Sequence, residues 1–211
     1  MTGHVVTIAQ QKGGSGKTTL AINLAIEAVY RGLKVAVVDT DPQGSLGRWF
    51  MTRLEHHDKP DLDLSTASAW GVAYEVGKLA ANVDLGVIDT PPKADSDLRP
   101  ALRVADLVVV PVAASHVDLW ATEGVLDLAR RENRPALITL NRIKPNTRLG
   151  HDIAQSAAQL DAALAEATLA NRVAYAEALG LGKAVREMPR ATKAADEFEA
   201  LFDEVMSHLS R

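Results

Sequence analysis

None of the 211 residues is cysteine, which removes disulfides, thiolate metal sites and iron–sulfur clusters from consideration and fits a cytoplasmic setting. Long apolar runs are missing as well. Nothing approaches the ~18 apolar positions needed to cross a bilayer, so a chain with 47% hydrophobic residues is expected to be soluble and off the membrane. A surplus of positive charge is also lacking. The formal net charge of −4 argues against a surface coated in cations, while leaving room for a local basic patch that binds nucleic acid. Residues 1 to 10 show no basic segment followed by a cleavable apolar one, so no secretory signal is expected. Without internal repeats, low-complexity tracts or linkers, the length suits one domain spanning 1–211.

One absence lies inside a motif. The stretch Lys12-Gly13-Gly14-Ser15-Gly16-Lys17-Thr18-Thr19 follows an apolar run, Val5 to Ala9, and leads into a helical pattern. The phosphate-loop pattern G-x-x-x-x-G-K-[ST] would put its first glycine at position 11, where Gln11 stands, and a second lysine, Lys12, comes next. Alone, such a string also reads as a flexible turn capping a helix. With a strand before it, a helix after it and Gly16-Lys17-Thr18 in register, it reads as a phosphate-binding loop. Its successive N–H groups and the following helix N-terminus attract anions, Lys17 reaches the β- and γ-phosphates, and the Thr18 hydroxyl ligates Mg²⁺.

Further apolar runs lie at 34–39, 85–89, 106–112 and 136–140, and none alternates, as expected of strands buried on both faces. Helical patterns over about 16–31, 43–52, 70–81, 97–105 and 116–132 separate them. Strand and helix in turn predict an α/β fold, a doubly wound, mainly parallel sheet with helices on both faces. Asp39, Asp89 and Asn141 then fall at strand C-terminal ends, where such sheets bind ligands. Asp89 after Val87-Ile88 matches a Walker B carboxylate near Mg²⁺, although an aspartate closing a strand can also simply cap a turn. Residues 53–69 read as a surface loop with an edge strand at 62–66, and adjacent His56 and His57 lack metal-pair spacing. Trp49, Trp70 and Trp120 are expected in the core or between helices. An amphipathic helix is expected over 149–164, and a last one over 192–209 whose apolar face docks on the domain and whose other face is acidic.

Together, KGGSGKTT at 12–19, VVDTDPQG at 37–44, VIDTPP at 87–92 and NRI at 141–143 resemble the ParA family of deviant Walker A ATPases, in the family's order and over essentially the whole chain. The length resembles the compact members that lack an N-terminal helix-turn-helix domain. The resemblance implies ATP and Mg²⁺ as ligands, held by Gly13, Gly14, Ser15, Gly16, Lys17, Thr18 and Thr19. It implies that Lys12 reaches across an ATP-sandwich homodimer to the partner copy's phosphates. Asp41 then orients the attacking water, Asp39 and Asp89 surround Mg²⁺, and Thr90-Pro91-Pro92 senses the γ-phosphate. Asn141, beside Arg142, matches the adenine-reading asparagine, or else is an ordinary turn asparagine.

The same resemblance implies non-specific DNA binding over the nucleoid, and a ParB-like or cargo-linked activator that triggers hydrolysis to position plasmids, chromosomes or protein clusters. Lys183, Arg186, Arg190 and Lys193 form the candidate DNA surface, with Lys144 and Arg148 as weaker candidates. The four read equally as a solvated face. A MinD-like membrane-cycling regulator is the rival, disfavoured by the acidic last helix. Metabolic ligases and amidation enzymes of related fold, and a nucleotide-gated scaffold with negligible turnover, are further alternatives.

Overall fold

The computed structural model describes residues 3–56, 59–92 and 95–210, so His57 lies outside the described residues. Seven parallel strands form one sheet: β1 (His4–Ile8), β2 (Val35–Asp39), β3 (Asp63–Thr66), β4 (Leu85–Asp89), β5 (Leu107–Val112), β6 (Ala136–Ile143) and β7 (Ala163–Ala170). Their order across the sheet is β3-β2-β4-β1-β5-β6-β7. The chain leaves β1 toward β2 and β3 on one side, returns through β4, and continues past β1 to β5, β6 and β7. The reversal places β1 at the switch point, where the flanking loops diverge and leave a crevice.

Both faces of the sheet are covered, which is why the strand runs do not alternate. α1 (Lys17–Tyr30), α2 (Ser45–Leu54), α7 (Val173–Gly180) and α8 (Thr192–Leu209) bury Val6, Ile8, Val37 and Val87 on one face. On the other lie α3 (Val72–Ala80), α4 (Asp95–Arg103), α5 (His116–Arg131) and α6 (Arg148–Ala157), over Val5, Val38, Ile88, Val108 and Val110. Adjacent residues of one strand, such as Val5 and Val6, therefore serve different cores.

Three sequence expectations need correction. The helix expected over 149–164 ends at Ala157, and Ala163–Ala170 is the edge strand β7. Its Ala, Leu and Glu residues favour a helix in isolation, but tertiary partners outweigh propensity. β7 pairs with β6, and its outer backbone donors are taken up by α8: the N–H groups of Glu166 and Ala167 donate to Glu204, and that of Ala170 donates to Glu197. Hence two carboxylates of the acidic face of α8 seal a sheet edge. Glu199 and Asp203 accept from Arg31, which caps the C-terminus of α1, while Ala194, Phe198, Leu201, Phe202 and Val205 dock as expected. Trp49 is buried with its indole N–H donating to Lys183 O, but Trp70 and Trp120 are 89% and 68% exposed and belong to no core.

Candidate functional site

The loop leaving β1 turns at Gly14 and Gly16, both with positive φ, and Gly16 caps α1. Gly16 is held to glycine twice over: φ is +95°, and a Cβ there would stand 2.4 Å from Asn141 Nδ2. That amide nitrogen donates to Ser15 O at 2.8 Å, and Asn141 Oδ1 accepts from Arg142 N at 2.9 Å. Asn141 is 4% exposed and braces the loop from β6, leaving one N–H and one lone pair uncommitted.

Beside the loop lies a cavity of about 620 Å³ lined by Gly13, Gly14, Gly16, Lys17, Thr18, Thr19, Asp41, Pro92 and Arg142. Gln43 and Ser45 line it too, with Arg48, Trp49 and Thr52 of α2 and Leu179 and Gly180 of α7, and no motif pointed to these last five. A second cavity of about 460 Å³ adjoins it, lined by Thr19, Asn141, Arg142, Asn171, Arg172 and Tyr175 among others. One cavity built on the phosphate loop and an adjoining one with mixed polar and apolar walls suit a nucleotide, with α1 pointing its N-terminus at the anionic part. Arg142 carries φ +55°, unusual for a non-glycine residue, at the rim shared by both cavities.

The acidic groups divide by partner. Asp39 has both oxygens engaged, Oδ1 accepting from Asp41 N and Oδ2 from Gly47 N, each at 3.0 Å, so it fastens the segment 41–47 to the end of β2. Asp41 Oδ1 accepts from Gln43 N, and the residue lines the first cavity. Asp89 Oδ2 accepts from Thr18 Oγ1 at 2.6 Å, whereas Asp89 Oδ1 and Ser15 Oγ are buried atoms with no hydrogen-bond partner among the described residues. A buried carboxylate oxygen left open beside a threonine hydroxyl suits a hard cation that keeps much of its water and takes its other ligands from phosphate. Among the described residues no cluster of three or more His, Asp or Glu could cage a metal alone, as a Mg²⁺–phosphate site requires none.

Burial pushes the Asp89 carboxyl up to about 7, aided by Asp39 and Asp41 and opposed by the Thr18 bond and Lys17. Burial also pushes the Lys17 amine down from its ordinary value. Because the native pKa of Asp89 exceeds the unfolded one, the nucleotide-free fold binds the extra proton between about pH 4 and 7. That stabilisation is complete below this window and lost as pH rises through 7. The expected result is a nucleotide-free protein about 1 kcal/mol less stable from this group at pH 8 than at pH 6, with the slope reduced in Asp89→Asn. Thermal or urea unfolding at the two pH values checks it, and equal slopes in both proteins would count against the buried carboxyl.

The basic cluster is not one surface. Arg186 donates to Glu27 at 2.9 and 3.1 Å, lies 3.5 Å from Glu199 and stacks over Tyr30, so its charge is spent within the fold. Glu187 is engaged by Arg53. Arg190 and Lys193 are exposed and Lys183 is half-buried.

A phosphate loop at the switch point of a parallel sheet, with paired cavities and an open carboxylate, defines an α/β nucleotide-binding protein of the P-loop class. Residues 6–185 match the family described as the CobQ/CobB/MinD/ParA nucleotide binding domain, and the chain belongs to that family. It is 27% identical over 208 residues to "Maintenance of carboxysome distribution protein A" of Halothiobacillus neapolitanus, covering 95% of each chain. It is 28% identical over 238 residues to the "Chromosome-partitioning ATPase Soj" of Thermus thermophilus, covering 97% of this chain and 96% of that one. A Borrelia burgdorferi B31 protein assigned to plasmid partition, solved with AMPPNP bound, shares the fold at a TM-score of 0.81 and 21% identity, over 97% of this chain and 99% of that one.

Proposed function

We propose that this chain is an Mg²⁺-dependent ATP hydrolase that forms an ATP-sandwich homodimer, binds DNA without sequence preference, and is stimulated by a cargo-linked, ParB-like activator to position or segregate that cargo. The observation that carries the reading is the placement of two lysines of one loop. Lys17 lines the phosphate cavity, while Lys12 does not and directs its amine to Asp118 of α5, away from the in-cis phosphates, which supports a role for it toward the phosphates of a second copy. The relatives named for chromosome partitioning and carboxysome distribution, matched over nearly their whole length, support the positioning role.

In this reading the loop amides and Lys17 bind the β- and γ-phosphates, and Asn141 keeps the loop in its binding shape. The Thr18 hydroxyl and the Asp89 carboxylate would hold magnesium, which would supply positive charge beside the phosphate oxygens. Asp41 orients the attacking water, and Asp39 acts on the same segment by fixing residues 41–47. Arg142 and the second cavity receive the nucleoside. The Lys12 of a second copy adds charge to the γ-phosphate oxygens, so turnover waits for assembly.

For DNA, Arg190 and Lys193 with Lys183 are the cations left open, and Arg186 is not counted among them. Among the described residues no helix is long and apolar enough to cross a membrane. The apolar face of α8 is consumed by the core and so is not offered to a membrane surface, which supports a cytoplasmic, nucleoid-associated protein over the membrane-cycling alternative. The test is ATP-dependent retention on non-specific duplex DNA. The Arg190→Glu/Lys193→Glu variant should lose at least about tenfold in affinity at moderate salt while keeping wild-type ATP binding. Wild-type retention in that variant would remove this surface from the proposal.

A further inference from the structure

The Lys12 amine lies 2.5 Å from Oδ2 of Asp118, in the first turn of α5, and closes an ion pair between that helix and the phosphate loop. The two ends differ in exposure. Asp118 is 1% exposed, whereas 37% of the Lys12 side chain is open to solvent. Lys12 is the cation paired with Asp118 among the described residues. The frame around the carboxylate is rigid: the Thr122 hydroxyl donates to Asp118 O and accepts from the Gln10 amide, which also donates to Pro111 O. The entry of the loop and the start of α5 are thus tied together independently of the ion pair.

A carboxylate kept out of water is tolerated with its counter-charge at hand, and taking that partner away is strongly unfavourable. Lys12 is therefore not free to leave for a phosphate elsewhere unless something repays the loss. Nor does its amine line the cavity of its own subunit, so the pair does not form part of the in-cis nucleotide site.

We infer that Asp118 is a positioning residue that withholds Lys12 in the single copy, releasing it to a second copy only when the triphosphate there offers enough negative charge to replace the carboxylate. The inference rests on the reading of Lys12 as acting in trans. It adds a threshold: a bound diphosphate, with fewer anionic oxygens facing the partner, falls short of the exchange, so the pair makes assembly selective for the unhydrolysed nucleotide.

The experiment uses the full chain as wild type, Asp118→Asn, Lys12→Ala and the double variant. In the nucleotide-free proteins, the rate of Lys12 acylation by a succinimidyl acetate is read by peptide mass spectrometry. Light scattering and sedimentation then give the dimer dissociation constant with Mg²⁺ and either ATPγS or ADP. Asp118→Asn should raise Lys12 labelling and tighten the ATPγS dimer, each by about tenfold, and should let a dimer form with ADP. Both assembly effects should vanish in the Lys12→Ala background, a dependence that a merely structural role for Asp118 would not show. Melting curves verify folding, and Asp118→Ala repeats the measurement if the asparagine variant is unstable. Unchanged labelling, a weaker dimer, or assembly effects that persist without Lys12 would each overturn the inference. Faster labelling with every variant monomeric would leave the restraint on Lys12 standing and defeat the trans-acting lysine instead.

Discussion

Lys17→Ala is expected to lose roughly 100-fold in ATP affinity, about 3 kcal/mol, measured by calorimetry or a fluorescent ATP analogue. The amine is nearly buried in the loop, 3.4 Å from Lys12 O, and it lines the cavity together with Thr18 and Asp41. Among the described residues no other buried cation lines that cavity, since Arg48 and Arg142 are exposed at its rim. The variant should nevertheless fold. Burial already holds the Lys17 pKa below its ordinary value, so the empty site bears a desolvation cost that alanine removes. An unchanged or higher melting temperature with lost binding is the expected pair of results. Retained affinity would show that the loop binds its phosphates through backbone alone.

Arg53→Ala should instead cost stability, about 3–5 kcal/mol or roughly 10 °C in melting temperature. This arginine is 1% exposed and carries a dense set of partners. Its Nε and Nη2 donate to Asp61 at 2.9 and 2.5 Å, Nη1 and Nη2 donate to Glu187 at 2.9 Å each, and Nη1 also reaches Gly182 O at 3.0 Å. The guanidinium lies 5.5 Å from the centre of the Trp49 ring. Alanine would remove the five hydrogen bonds of the guanidinium, four of them to Asp61 and Glu187, and open a gap under α2. Arg53→Lys should rescue little, because an ammonium has three donors and no planar fork to serve both acids. Gly182 adds to the constraint: φ is +66°, and a Cβ there would come within 2.5 Å of Arg53 N. Since Trp49 and Thr52 line the nucleotide cavity, Arg53→Ala should also weaken ATP binding. Denaturant unfolding checks the main effect, and a loss below about 1 kcal/mol would show that Asp61 and Glu187 find water or other donors.

Neither Arg53 nor Asp118 could be found by reading the chain. An arginine in an amphipathic helix and an aspartate in a helix's first turn are ordinary surface features, and their burial follows from which elements meet. The same holds for Arg186. Four cations within eleven positions look like one patch, but Glu27, distant in sequence, neutralises one of them. Trp70 and Trp120 differ from expectation for the converse reason: a large aromatic suggests burial, and only packing decides it. β7 was missed because its residues carry helical propensity and its pairing partners lie on β6 and α8.

The amino-acid sequence by itself determined the phosphate loop, the non-alternating strands and hence the parallel two-faced sheet, because each is a local pattern imposed by backbone sterics and by the period of side-chain burial. It also marked the strand-end carboxylates as candidates. Tertiary structure alone decided which were already engaged. Asp39 has both oxygens taken by backbone donors of Asp41 and Gly47, Asp89 is left with one open oxygen, and Lys12 is paired to a helix more than a hundred residues away. Hydrogen bonds and charge pairs of that span depend on distances in space that no spacing along the chain encodes.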